Sequence, residues 1–204
     1  RQLVDRLVAL YDQGIRYTDH WIGELVAGLE ARGLSGSTVV VVTADHGEEL
    51  GDHGGLEHTR TFYEEVMRIP LVIVVPDLGT DRVVSTQVGL VDLFPTLLDV
   101  LAVPYDGPVQ GISLRPALEG EPLPEREMVG EGSQVAGLRA LRTPSHKYIA
   151  GIQVEEVYRF SNGPVRVHRA DRPPNDSFLP GFRVFAHLFR RLHECFVHRI
   201  RRHV

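Results

Sequence analysis

Cysteine occurs once among the 204 residues, as Cys195. That excludes an intramolecular disulfide and a cysteine-rich zinc site. Long apolar runs are missing too. The longest, residues 39–42 and 71–76, have strand length and fall far short of the ~20 residues needed to span a bilayer. No internal repeat stands out. No secretory leader pattern follows Arg1, and periplasmic, secreted and cytoplasmic locations all stay open. What is present is ordinary for a folded chain: apolar content is 43% and charged content 24%, which excludes disorder of the whole chain.

The net charge of -5 hides an asymmetry. Residues 159–204 hold ten arginines against three acids, so about +7, and five of the ten histidines. The remainder is strongly acidic. A break in character near residue 160 follows, and the chain divides into residues 1–124, an α/β part, residues 125–160, a small antiparallel part, and residues 161–204, a basic tail. Phe182, Phe185, Phe189, Leu192, Phe196 and Ile200 recur at helical spacing in that tail. They predict an amphipathic helix able to meet an anionic membrane surface or an acidic partner, or to pack as a divergent last helix. No nucleic-acid partner is expected.

Helical periodicity runs through residues 2–32, on Leu3, Leu7, Leu10, Ile22, Leu25, Val26 and Leu29, with Gly33 placed to end the helix. Residues 38–43 are β-branched throughout and apolar on both faces, which predicts a strand buried between helical layers. Residues 68–76 predict a second buried strand and residues 83–88 a short one. Residues 62–67 and 114–118 read as short helical pieces. A helix is predicted over 92–101 with Asp92 as its N-cap. Residues 128–131, 138–143 and 147–152 read as strands of a small antiparallel sheet. This order predicts an α/β architecture.

Chemistry concentrates in Thr43-Ala-Asp-His-Gly-Glu-Glu-Leu-Gly-Asp-His-Gly54. The segment starts where a strand ends, the place where open α/β sheets bind ligands. Asp45 and His46 are both competent ligands of a divalent cation. Adjacent strand residues point to opposite faces, so the pair converges on one ion only if the backbone turns at once, which Gly47 permits. Two ligands do not close a site, and the others must lie elsewhere. The plain alternative is that Asp45 caps a following helix and His46 makes a local hydrogen bond. Glu48 and Glu49 read as first-turn acids of such a helix, His53 as positional, and Arg68 as a partner of Glu64 or Glu65.

That segment, with Thr61-Phe-Tyr-Glu-Glu-Val-Met-Arg-Ile-Pro-Leu-Val-Ile73, resembles the C-terminal half of the sulfatase family, within the alkaline phosphatase superfamily. Leu10-Tyr-Asp-Gln-Gly-Ile-Arg-Tyr-Thr-Asp19, Val91-Asp-Leu-Phe-Pro-Thr-Leu-Leu98 and Leu141-Arg-Thr-Pro-Ser-His-Lys-Tyr-Ile149 match further family segments in the same order. The resemblance implies part of an α/β/α sandwich of the alkaline phosphatase-like fold followed by a small antiparallel β subdomain. It implies Asp45 and His46 as metal ligands, the metal being Ca2+ or, as in relatives, Mn2+ or Zn2+. It places His58 against the transferring sulfate, to stabilise its charge or to protonate the leaving alcohol. The substrate class implied is a small-molecule, glycan or lipid sulfate ester.

The family's formylglycine motif, Cys-x-Pro-Ser-Arg, has no match, since Cys195 stands in Glu-Cys-Phe-Val-His-Arg. The chain is therefore expected to be inactive alone and to leave apolar helix faces uncovered. Two other readings compete. One is phosphoryl chemistry on the same ligand pair: phosphonate or phosphodiester hydrolysis, or phosphoethanolamine transfer. The other is a non-catalytic remnant that binds a partner. The oligomeric state is not legible.

Overall fold

The computed structural model describes residues 2–78, 82–132, 138–151, 154–159 and 166–168. The amphipathic helix read over residues 182–200 lies outside them. The chain forms two compact units. Among the described residues the first holds 2–58 and 65–78, and the second holds 59–64 and those from 82 onward.

In the first unit, helix α1 spans Gln2–Ala31 as the periodicity predicts. It ends as its sequence requires. Gly33 takes a left-handed φ of +67°, its N–H bonds to the Glu30 carbonyl at 2.9 Å, and the Leu34 N–H bonds to Leu29 at 3.0 Å. This is a Schellman close, in which the left-handed residue is inexpensive only for glycine. No residue of α1 is fully buried, and Leu3, Leu10, Tyr17, Trp21 and Leu25 are all more than half exposed. Apolar surface is thus uncovered along this helix. No described helix is long and apolar enough to cross a membrane.

Strand β1 (Val40–Thr43) pairs antiparallel with β4 (Leu71–Val74), Val42 opposite Val72. Every residue of both is half-buried, where the sequence predicts full burial. A ribbon of two strands has no flanking strand among the described residues to cover its outer edges. Between them lies a hairpin, β2 (Glu49–Leu50) against β3 (Leu56–Glu57), and a single helical turn, α2 (Glu64–Met67).

In the second unit a 3-10 turn, Leu90–Asp92, leads into α3 (Leu93–Val100), and α4 spans Arg115–Glu119. The sequence predicts Asp92 as the N-cap of α3; it holds that position, but its side chain makes no capping bond. Its fully buried carboxylate reaches back to the Gly89 N–H and across to the Ile112 N–H, at 2.9 and 3.0 Å, and pairs with Arg126. Tertiary donors win over the local cap because burial makes an unsatisfied carboxylate costly. Residues 83–88 form no strand. The Gln87 amide instead donates to the Arg126 and Arg142 carbonyls at 3.4 and 3.0 Å, and Val83 is largely exposed.

The small antiparallel sheet is present and larger than predicted. Its order is β5 (Met128–Glu131), β6 (Arg139–Arg142), β7 (His146–Gly151), β8 (Val154–Arg159), β9 (Arg166–His168). Ala140 lies opposite Ile149, and with Leu138 they form a core packed against Phe62 and Tyr63. Lys147 alternates onto the same face as Ile149 and is 1% exposed, and its ammonium meets Glu64 at 2.9 Å. Arg142 reaches Glu64 at 3.3 Å. Burial alone would raise the Glu64 pKa. The two cations outweigh it and hold the carboxyl below its ordinary range.

Candidate functional site

Thr43 closes β1, and its hydroxyl donates to the Pro70 carbonyl at 2.8 Å. That bond fixes the strand end from which Asp45 and His46 emerge. The chain turns at once. The Gly47 N–H donates to the Val66 carbonyl at 2.7 Å, and a Cβ on Gly47 would lie 1.9 Å from the Glu65 carbonyl oxygen. Only glycine fits here, because the turn presses its α-carbon onto the backbone of α2. No helix follows, so the reading of Asp45 as a helix cap, with Glu48 and Glu49 as first-turn acids, is corrected. Glu49 is in β2. The glycines at 51 and 54 adopt left-handed φ values of +95° and +85°, which makes a hairpin where the acids alone suggested a helix.

Asp45 and His46 converge. The His46 N–H donates to Asp45 Oδ1 at 3.0 Å, and Asp45 Oδ2 lies 3.6 Å from His46 Nε2. Asp45 is largely exposed, and its pKa is lowered, first by the His46 backbone N–H and then by its own. It is a carboxylate at neutral pH. His46 Nδ1 lies 2.9 Å from the Gly47 carbonyl oxygen. A carbonyl only accepts, so Nδ1 carries the proton and the Nε2 lone pair is available. An ionised oxygen and a lone-pair nitrogen lie 3.6 Å apart, a little wider than the edge between neighbouring ligands of one cation, about 3.0–3.4 Å for metal–ligand bonds of 2.1–2.4 Å at right angles. The donor set fits a divalent ion.

His58 follows β3 directly, so the hairpin returns it to the start of the loop. Its ring stacks on His46, centroids 3.8 Å apart at 19°. Its Nδ1 donates to Glu48 Oε2 at 3.1 Å, which fixes the tautomer and leaves Nε2 as the atom that gives or takes a proton. Tyr11 of α1 is half-buried in the same unit. Burial first, then the charges of Glu48 and Asp12, push its phenol pKa up, so it remains a neutral phenol.

A second group escaped the sequence reading. Glu49, His53 and Glu65 bring three potential ligand atoms within 4.8 Å of one another. Glu49 is 1% exposed, and its Oε1 accepts the N–H groups of His53 and Gly55 at 3.2 and 2.8 Å. His53 Nδ1 donates to Glu65. Glu64 meets Lys147 and Arg142, and Glu65 meets His53. The signal for this network was the turn chemistry of residues 51–55.

Comparison with known proteins adds the following. A family model described as Sulfatase matches residues 2–103. Arylsulfatase K of Bos taurus is 33% identical over 114 residues, 56% of this chain and 21% of that protein. An N-acetylglucosamine-6-O-sulfatase of Bacteroides thetaiotaomicron is 39% identical over 104 residues, 50% of this chain and 18% of that protein. The chain spans about a fifth of the length of these relatives. A phosphonate monoester hydrolase from Silicibacter pomeroyi superposes with a TM-score of 0.63 at 27% identity, covering 90% of this chain and 38% of that one. A protein solved in complex with its substrate D-glucosamine-2-N,6-O-disulfate gives 0.55 at 29% identity, covering 70% and 31%. These neighbours have the alkaline phosphatase-like fold, and the α/β architecture of this chain is part of it.

Proposed function

The chain belongs to the sulfatase family, and from that premise we propose that it supplies the metal-binding segment and a proton-transfer histidine of a sulfate ester hydrolase. The observation that carries this is the convergence of Asp45, His46 and His58. Three residues singled out from the sequence meet at one strand end, with tautomers fixed so that Asp45 oxygen and His46 Nε2 are available together.

In this reading Asp45 and His46 hold a divalent cation. When bound, it would neutralise charge on the ester's non-bridging oxygens and activate the nucleophile. The resemblance favours Ca2+, and the imidazole donor suits Mn2+ or Zn2+ as alternatives. His58, held by Glu48, delivers a proton from Nε2 to the leaving oxygen, a step that typically contributes 10²–10⁴-fold. The nucleophile, a formylglycine by resemblance, comes from sequence outside this chain, and the chain alone is inactive. Sulfated sugars are the favoured substrates, because relatives of this chain are named for them.

A second reading, phosphonate ester hydrolysis, draws support from the superposition with the phosphonate monoester hydrolase. The encoding DNA upstream of Arg1 separates them. An in-frame Cys-x-Pro-Ser-Arg supports the formylglycine chemistry. A reading frame with no such motif removes it.

A further inference from the structure

We infer that His53, through its tether to Glu65, is a positioning residue that holds His58 on His46. This deepens the reading of Asp45, His46 and His58 as the site and rests on it.

The loop that carries the site is tied to α2 at two points. At its base, the Gly47 N–H bonds to the Val66 carbonyl at 2.7 Å. Near its tip, the His53 imidazole bonds to the Glu65 side chain. Glu65 and Val66 are neighbours on one helical turn, so a single short element grips both ends of the excursion. Inside the hairpin, Glu49 is the staple: one buried oxygen takes the N–H groups of His53 and Gly55. A Cβ on Gly55 would lie 2.8 Å from that carboxylate, so the backbone is wrapped closely around it. The return strand β3 then delivers His58 to the His46 ring.

A two-residue strand pair cannot set that register alone, because isolated hairpins of this size are marginal. The staple closes the hairpin on itself, and the His53 to Glu65 bond ties the closed hairpin to α2. Although three ligand atoms lie close together here, His53 Nδ1 is committed to Glu65 and Glu49 Oε1 to two backbone donors. The cluster is therefore read as a support for the hairpin and not as a second cation site.

The test uses the protein with 13C-labelled histidine side chains, metal-free, at one fixed pH. Ring stacking shifts the His46 and His58 ring protons upfield. His53→Ala is expected to abolish that shift. His53→Asn, whose amide nitrogen stands near the position of Nδ1, is expected to restore it. Val72→Ala in β4, which lowers stability without touching the tether, is expected to keep it. Mn2+ titration should then show weaker affinity in His53→Ala, recovered in His53→Asn. An unchanged ring shift in His53→Ala overturns the inference, and so does an equal loss in Val72→Ala. Failure of the metal reading looks different: no variant takes up Mn2+, while the ring shift still depends on His53.

Discussion

The imidazoles of His46 and His58 lie face to face, 3.8 Å between centroids, with opposite outer partners: the Gly47 carbonyl holds one and the Glu48 carboxylate the other. Each Nδ1–H donates to its partner, which leaves Nε2 as the second nitrogen of both rings. In the proposed function the His46 ring ligates and the His58 ring carries a proton.

The first prediction concerns the turn behind this pair. Gly47→Ala puts a methyl carbon 1.9 Å from the Glu65 carbonyl oxygen, and the obstacle is backbone that cannot rotate away. Stability should fall by about 1–3 kcal/mol, the usual cost of overpacking. Urea unfolding measures it, and a loss within error of zero would show that the turn is looser than described.

Glu49 gives the second. It accepts two backbone N–H groups while 1% exposed, so Glu49→Ala leaves both half-buried donors without that acceptor. A loss of about 1–3 kcal/mol is expected. Glu49→Gln keeps an acceptor oxygen and should recover most of it.

How much of this was legible in the sequence follows from what each signal encodes. Asp45 and His46 were readable because a β-branched run ends just before them, and His58 because a longer pattern placed it. The hairpin was not, because Glu48 and Glu49 look like helix-start acids and their charge pattern was weighed above the glycines at 51, 54 and 55. Of these, Gly51 and Gly54 carry the left-handed φ values that decide the matter. The Asp92 carboxylate shows the same limit in another form. Its donors at Ile112 and Arg126 come from distant parts of the sequence, and no local rule ranks them above the cap. Helix α1 was legible to its last turn, because its termination is purely local.

The third prediction is acid lability of the second unit. Glu64 has a folded pKa below the ordinary 4.5 because Lys147 and Arg142 outweigh its burial. The unfolded chain then takes up the proton first, so the stabilisation is complete above the ordinary value and is lost as pH falls through the lower folded one. Unfolding free energy measured from pH 6 downward should decline through that window, and Glu64→Gln should flatten the decline.

The same residue supports a fourth. Removing Glu64 takes an ion-pair partner from the Lys147 ammonium, which is 1% exposed. Glu64→Ala should cost about 3 kcal/mol, whereas Glu64→Leu combined with Lys147→Met should cost far less, because replacing a buried pair by apolar groups is often neutral. A double variant as unstable as Glu64→Ala alone would assign the loss to packing.

The most direct test of the central claim is aryl sulfate hydrolysis by the protein expressed from its complete reading frame, assayed after chelation and resupply of Ca2+, Mn2+ or Zn2+. Turnover should disappear on chelation and return with one of these ions. It should fall about 10²–10⁴-fold in His58→Ala and vanish when Asp45 and His46 are both replaced by alanine. Sulfate release that survives the double substitution would contradict the account, and so would hydrolysis confined to phosphonate esters.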